Sequence, residues 1–285
     1  MFRHSRVAVG AAARLAAGAS IGAATVQCYS SSSDAAPPTL YASWFCPYVQ
    51  RAWIAIEEKR VPYTYVEINP YEDGVGGRST KKALPLEEKR RRYPEFVAAS
   101  PRGLIPALAH DGGTVCDSLV VVEYIDEAFS DRSPLLPSNA LERARCRQWS
   151  AFAGSQIIPH YYKMLMAQDA AGQAAARSAA LEGLAKWSDA MAVADGPYFL
   201  GARFSFADLA LFPWVERFLT VGAAYRNFEL PDTPSFERLR VWHAAVRERP
   251  AVKATLCDRA RLIENYSEYA DNSATSDAAK TFRGA

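Results

Sequence analysis

At Cys46-Pro47 the chain changes its hydrophobic period, and no other feature restricts the fold as much. Upstream, residues 39–43 form a short β-prone run. Downstream, Val49, Ala52, Trp53 and Ile56 recur at three- and four-residue spacing, which makes one buried helical face. Pro47 falls at the first helical position, where its missing N–H would have had no partner in any case. Cys46 is thereby placed at the N-cap. An alternating run follows at residues 63–68, so the first domain reads as strand, helix, strand of an α/β fold.

A cysteine at a helix N-cap faces the free N–H groups of the first turn, here those of Tyr48 and Val49, and the positive end of the helix dipole. These favour thiolate over thiol and lower the pKa from about 8.5 toward the reactive range. The competing reading is one more small buried hydrophobe. The position just before a helix-starting proline favours the reactive thiolate. Val49 occupies the fourth place of a would-be Cys-x-x-Cys, so chemistry at Cys46 is monothiol.

Further along, Pro106 interrupts an apolar strand-like run, residues 104–109, and must lie at an edge or a special turn because it cannot donate to a sheet. If the Ile105–Pro106 bond is cis, the backbone of Ile105 turns outward and can pair with a peptide-like ligand. Asp111-Gly112-Gly113 signals a hairpin turn, with residues 114–116 as its return strand. Asp117-Ser118 then opens an apolar helix reaching about Phe129, with Ser118 as N-cap. The same pair can hold a carboxylate through N–H groups and hydroxyl, and an ammonium through Asp117. Residues 78–92 carry seven Lys or Arg against Glu87 and Glu88. Two readings stand for this run: a solvated surface, or a patch for an anionic ligand, lipid headgroup or partner.

From Ala140 onward strand signals nearly vanish. The pattern predicts helices over 139–168 (bent or divided at Pro159), 174–194, 205–223, 234–248 and 250–264, with 130–138 as linker. Ser205 and Asp208 form a capping-box variant with Phe204 stapled on Leu209, a structural device. His160, Tyr161 and Tyr162 are expected to pack in a helix core. Residues 266–285 are polar and without period, and read as a disordered tail.

Residues 1–36 hold Arg3, Arg6 and Arg14, no acid before Asp34, many Ala and Gly, and a run of serines. That is the composition of an organellar targeting leader. Residues 7–26 are long enough to span a bilayer, but they are mostly Ala and Gly, and an arginine such as Arg14 costs about 2.5–3.5 kcal/mol near a helix centre. No transmembrane segment is expected. The expected location is mitochondrial, with plastid or cytoplasm as alternatives. The leader also holds the whole surplus of 33 Lys and Arg over 31 Asp and Glu, so the body is neutral, unlike a strongly basic nucleic-acid binder. An apolar share of 49% with 22% charged residues excludes collagen-like, coiled-coil and wholly disordered chains. Five Cys without a Cys-x-x-Cys pair and four His without metal spacing imply no metal.

Cys46-Pro47-Tyr48, residues 104–108 around Ile105-Pro106, Asp117-Ser118 and the Ser205–Asp208 box occur in this order, with a helical domain after the third. The constellation resembles the cytosolic-type glutathione transferases, in particular the omega class and its cysteine-using relatives, from about Leu40 to about Glu264. The resemblance implies a thioredoxin-like glutathione-binding domain at 38–131 and an all-helical C-terminal domain at 139–265, assembled as a homodimer. It implies glutathione as co-substrate, with a small electrophilic or disulfide second substrate. Cys46 would form a mixed disulfide with glutathione, Ile105 before cis Pro106 would pair with its cysteinyl backbone, and Asp117 with Ser118 would hold its γ-glutamyl end. Omega-like sequences carry a glutathione-contacting Lys just before the proline matching Pro94. Here that residue is Tyr93, so Arg92 substitutes or the contact is missing. Residues 72–92 look like a basic insertion beside the site. The function implied is glutathione-dependent thiol transfer and reduction, such as deglutathionylation or dehydroascorbate reduction. The rivals are conventional conjugation, with Tyr41 or Ser43 activating the thiol, and a non-catalytic interaction module.

Overall fold

The computed structural model describes residues 25–27, 36–74, 79–191, 193 and 195–283. Most of the expected leader lies outside these residues, but Thr25–Gln27 (β1) pairs antiparallel with Tyr63–Glu67 (β3). Thr39–Ala42 (β2) leads through Pro47–Glu58 (α1) to β3, which lies parallel to it with Leu40 beside Tyr65. Within the stretch 72–92 read as a basic insertion, Tyr71–Asp73 (β4) pairs antiparallel with Ser79–Ala83 (β5) as a hairpin, and Leu86–Arg92 (α2) forms a short helix. Pro94–Ala99 (α3), Ala107–His110 (β6), Gly113–Cys116 (β7) and Ser118–Ala128 (α4) complete the domain. The sheet order is β1-β3-β2-β6-β7, with β6 antiparallel to β2 and Tyr41 opposite Ala107.

Side chains alternate across this sheet as a strand's period of two requires. Leu40, Ala42 and Leu108 enter the large core with Val49, Val121 and Ile125 of α1 and α4. Tyr41 and Ala107 enter a smaller cluster on the other face with Phe96 and Val97 of α3. Lys59 closes the end of α1 with a buried ion pair to Asp126 at 2.6 Å. Asp126 also accepts the N–H groups of Leu135 and Leu136 at 2.8 Å each, which turns the linker toward the second domain.

The predicted helix over 139–168 is Ala140–Phe152 (α5), a π-helical turn at Ala153–Ile157, and Ile158–Met166 (α6) with Pro159 in its first turn. Ala170–Met191 (α7) crosses this turn so closely that a Cβ on Gly183 would meet the Gln156 carbonyl oxygen at 2.7 Å. Phe206–Arg217 (α8) is buried along its whole length. Asp208 anchors its start, accepting from Ser205 N and Oγ, Phe199 N and Trp242 Nε1 at 2.7–2.8 Å. Ala223–Arg226 (α9) and Pro234–Arg247 (α10) follow. The single helix predicted over 250–264 is two, Pro250–Ala254 (α11) and Arg259–Asn265 (α12), because Asp258 caps a new start by accepting from Arg261 N at 2.8 Å.

The expected disordered tail is corrected. Ser267–Ala270 (α13) and Asp277–Arg283 (α14) pack back on α6 through Tyr269 and Phe282 against Tyr162, whose ring Phe282 stacks at 5.0 Å. This C-terminal strap is also tied to the hairpin: Lys81 N donates to Glu268 Oε2 at 2.7 Å and Thr275 N donates to Lys81 O at 2.9 Å. Helices of four and seven residues are too short to print a period on the sequence.

Candidate active site

A cavity of about 350 Å³ lies where the start of α1, the 100–106 loop, the β7–α4 junction and the strap meet. Cys46, Ile105, Pro106, Asp117 and Ser118 all line it, and the Ile105–Pro106 bond is cis. Three separate sequence signals therefore converge on one space.

Two assignments change. Asp117, not Ser118, is the N-cap of α4, with positive φ of 78° and its side chain accepting from Leu119 N at 3.1 Å. Ser118 is buried and accepts from Arg51 Nη1 at 3.2 Å. Arg92 does not line the cavity; its guanidinium is held by Glu88 at 2.6 Å and Asp73 at 2.9 Å. Lys89, three residues earlier in α2, reaches inward and donates to Gly103 O at 3.0 Å, and Arg102 stands beside it on the cavity wall. The inward cation of α2 is thus Lys89, because the phase of a short helix, not proximity in sequence, decides which side chain faces in.

Cys46 is the N-cap of α1 and remains partly exposed, with no capping hydrogen bond from its thiol. Its pKa is raised, which reverses the expectation from the local sequence. Burial is the largest cause; the N–H groups of Val49 and Tyr48 and the cations Arg217 and Lys81 pull the other way without overcoming it. The strap and the hairpin, through Tyr266, Tyr269, Tyr71 and Lys81, stand around the helix end and add the cover that the local sequence does not reveal. Arg217 reaches in from α8 and donates to Phe45 O at 2.9 Å, next to Cys46 in the chain. Sequence reasoning missed Arg217, Lys81 and Lys89, since a basic residue carries no mark of its burial, and missed the exposed Arg102 on the cavity rim. Cys116, in β7 next to Asp117, is exposed and lines the cavity. Tyr161 and Tyr162 are buried in helix-core packing. Tyr41 packs on Phe96, and Ser43 Oγ donates to Ile68 O; neither lines the cavity.

Family models for the glutathione S-transferase N-terminal and C-terminal domains match residues 40–133 and 169–245. Glutathione S-transferase U15 of Arabidopsis thaliana is 30% identical over 81% of this chain and 93% of its own length. The chain belongs to the glutathione S-transferase family. Among solved structures, glutathione transferase Omega 3C from Trametes versicolor is similar at 33% identity and a TM-score of 0.69, over 85% of this chain and 93% of that one. The Tau class enzyme of mango, Mangifera indica, is similar at 26% identity and a TM-score of 0.68, over 82% and 98%. This transferase therefore pairs a thioredoxin-like domain with a helical domain and uses glutathione as co-substrate. No cluster of metal-ligating side chains and no helix long and apolar enough to cross a membrane occurs among the described residues.

Proposed function

We propose that this transferase is a glutathione-dependent thiol transferase and reductase acting through Cys46. The observation that carries the reading is a cysteine at the N-cap of α1, in the wall of the cavity, where the start of the helix favours its thiolate. Cys46 thiolate attacks the glutathione sulfur of a mixed disulfide; the new S–S bond forms as the old one breaks, and the substrate thiolate leaves. A second glutathione thiolate then attacks that bond, releases oxidised glutathione and restores Cys46. In this reading the Ile105 backbone pairs with the cysteinyl part of glutathione, and Asp117 with Ser118 receives its γ-glutamyl end. Lys89 and Arg102 supply charge for a carboxylate, and Arg92 takes no part.

The likeness to the mango Tau class enzyme supports a second reading, conjugation of glutathione to an electrophile. The expected hydroxyl activators for it are engaged elsewhere: Ser43 Oγ on Ile68 O and Tyr41 in the core beside Phe96. The two readings part at Cys46→Ser. Thiol transfer from a glutathionylated peptide and dehydroascorbate reduction should fall at least a hundredfold while the fold persists. Full activity in that variant, or robust turnover of a chloro-nitrobenzene with none of mixed disulfides, reverses the choice. Mitochondrial import and homodimer formation belong to the same proposal. A reporter fused to residues 1–40 that stays in the cytosol, or a monomer by light scattering, removes either one.

A further inference from the structure

Neither family model reaches the C-terminal strap, since the second match ends at residue 245, yet Asp277, Ala278, Thr281 and Phe282 of α14 line the same cavity as Cys46. One wall of the site is therefore built by a segment beyond the family models. That wall is fastened lightly. Phe282 stacks on Tyr162 at 5.0 Å, and Ala279 is buried. Within the strap itself, Ala279 N donates to Ser276 Oγ at 3.1 Å, and Arg283 donates to Asn272 Oδ1 at 2.9 Å and Ala274 O at 2.6 Å. The firmer anchors precede α14: Thr275 N donates to Lys81 O at 2.9 Å, and Ala83 N donates to Thr275 Oγ1 at 3.1 Å. Residue 276 is thus a hinge about which α14 can swing off Tyr162 while α13 and β5 stay joined.

The cavity, about 350 Å³, is at the lower end of the range for small-molecule sites, about 300–1,000 Å³. It has room for one tripeptide and little beside it. Exchange at Cys46 makes a stricter demand, because the two Cα atoms of a disulfide lie only about 4.4–6.8 Å apart. When glutathione pairs with Ile105, the backbone of the cysteine it leaves must come inside the space that Cys46 shares with Tyr48, Tyr71 and Phe282. Free cysteine or another small thiol fits there. A folded protein, about 13 Å in radius of gyration at 100 residues, does not fit while α14 forms the wall. We propose that α14 is a size filter, which fits this enzyme to small glutathione disulfides and bars glutathionylated proteins except while the helix is lifted. The inference rests on Cys46 as the thiol-transferring nucleophile. The glutathione sulfur passes to Cys46 as the old S–S bond breaks, and the small thiolate leaves past α14.

Two glutathionyl donors of like chemistry and unlike bulk test this: the mixed disulfide of glutathione with cysteine, and a folded carrier protein glutathionylated at one exposed cysteine. Transfer to Cys46 of the full chain is followed by mass spectrometry on the Cys46 peptide. Each rate is divided by that of a free cysteine peptide with the same donor. On this scale the small donor should react about a hundredfold faster, because the open form of such an equilibrium is about 0.1–10% populated. In a chain ending at Ser276, and in Phe282→Ala, the gap should shrink about tenfold. Equal normalised rates in the full chain overturn the filter, as does an unaltered gap in a folded chain ending at Ser276. Alkylation of Cys46 by iodoacetamide, against a maleimide mounted on the same carrier protein, repeats the comparison without disulfide chemistry. Transfer from neither donor would therefore remove the proposed function, while the alkylation gap still decides the filter.

Discussion

Replacing Arg217 with methionine should loosen both the joint between the domains and the strap over the cavity. Arg217 is 1% exposed and donates to Phe45 O at 2.9 Å, Gln50 Oε1 at 2.8 Å, Pro213 O at 2.7 Å and Tyr266 Oη at 3.0 Å. Phe45 and Gln50 belong to the first domain, Pro213 to α8, and Tyr266 to the base of the strap, so one guanidinium ties three parts of the chain. A hydrogen bond from a charged donor contributes about 1.5–3 kcal/mol. The full sum of such bonds is not lost, because the variant is also spared the several kcal/mol needed to desolvate the cation. Methionine fills most of the volume, which keeps the cavity cost small. A net loss of about 3 kcal/mol follows, and at about 2–4 °C per kcal/mol for a chain of this size the melting temperature falls about 6–12 °C. Differential scanning calorimetry at pH 7.5 reads it. Arg217→Lys should fall in between, since one ammonium cannot reach acceptors spread around a planar fork. Cys46 alkylation should slow as well, because Arg217 is one of the charges that favour the thiolate. A melting temperature within 2 °C of the parent would refute the idea that this residue joins the parts.

Gly183→Ala should lower stability by about 1–3 kcal/mol, measured by urea unfolding, because the new Cβ collides with the Gln156 carbonyl oxygen and Ile157 Cγ1 at 2.7 and 2.8 Å. Glu216 is buried, which opposes its charge, but the His243 hydrogen bond at 2.8 Å and the Arg247 ion pair outweigh this and hold its carboxyl below 4.5. A lowered carboxyl pKa contributes stability that is complete above the unfolded value and lost as pH falls through the folded one. Glu216→Gln should therefore flatten the decline of the urea midpoint between pH 5 and pH 3, and a parallel decline would count against it. Phe282→Ala removes the ring stacked on Tyr162 and should free α14 from the cavity mouth. Cys46 alkylation should then quicken several-fold, with the melting temperature nearly unchanged.

The parts of the site that the sequence announces are those whose chemistry is local. Cys46 before Pro47, Ile105 before Pro106, and Asp117 beside Ser118 each mark a backbone geometry set by two adjacent residues, and all three pairs line the cavity. What the sequence hides is what depends on distant chain. Lys89 and Arg92 look alike in a basic run, and only the seating of α2 against Gly103 separates them. Lys81 reads as solvated because nothing nearby foretells that Phe45, Tyr71 and Tyr266 will surround it. The rise in the Cys46 pKa has the same origin, since part of the cover comes from Tyr266 and Tyr269, more than two hundred positions away. The long helices were legible from their period; α13 and α14 were not, being short and held by aromatic contacts to Tyr162 and, for α13, by the Glu268 hydrogen bond to β5.

The strap also sets an order of events during synthesis. Cys46 leaves the ribosome long before Arg217 of α8 and longer still before Phe282 of α14. At about 5–20 residues per second, that last interval is roughly ten to fifty seconds. Through it the nascent chain carries a helix-capping thiol without the cover that later narrows its access to water and oxidants. The finished enzyme guards its cysteine; the growing one depends on the reducing power around it.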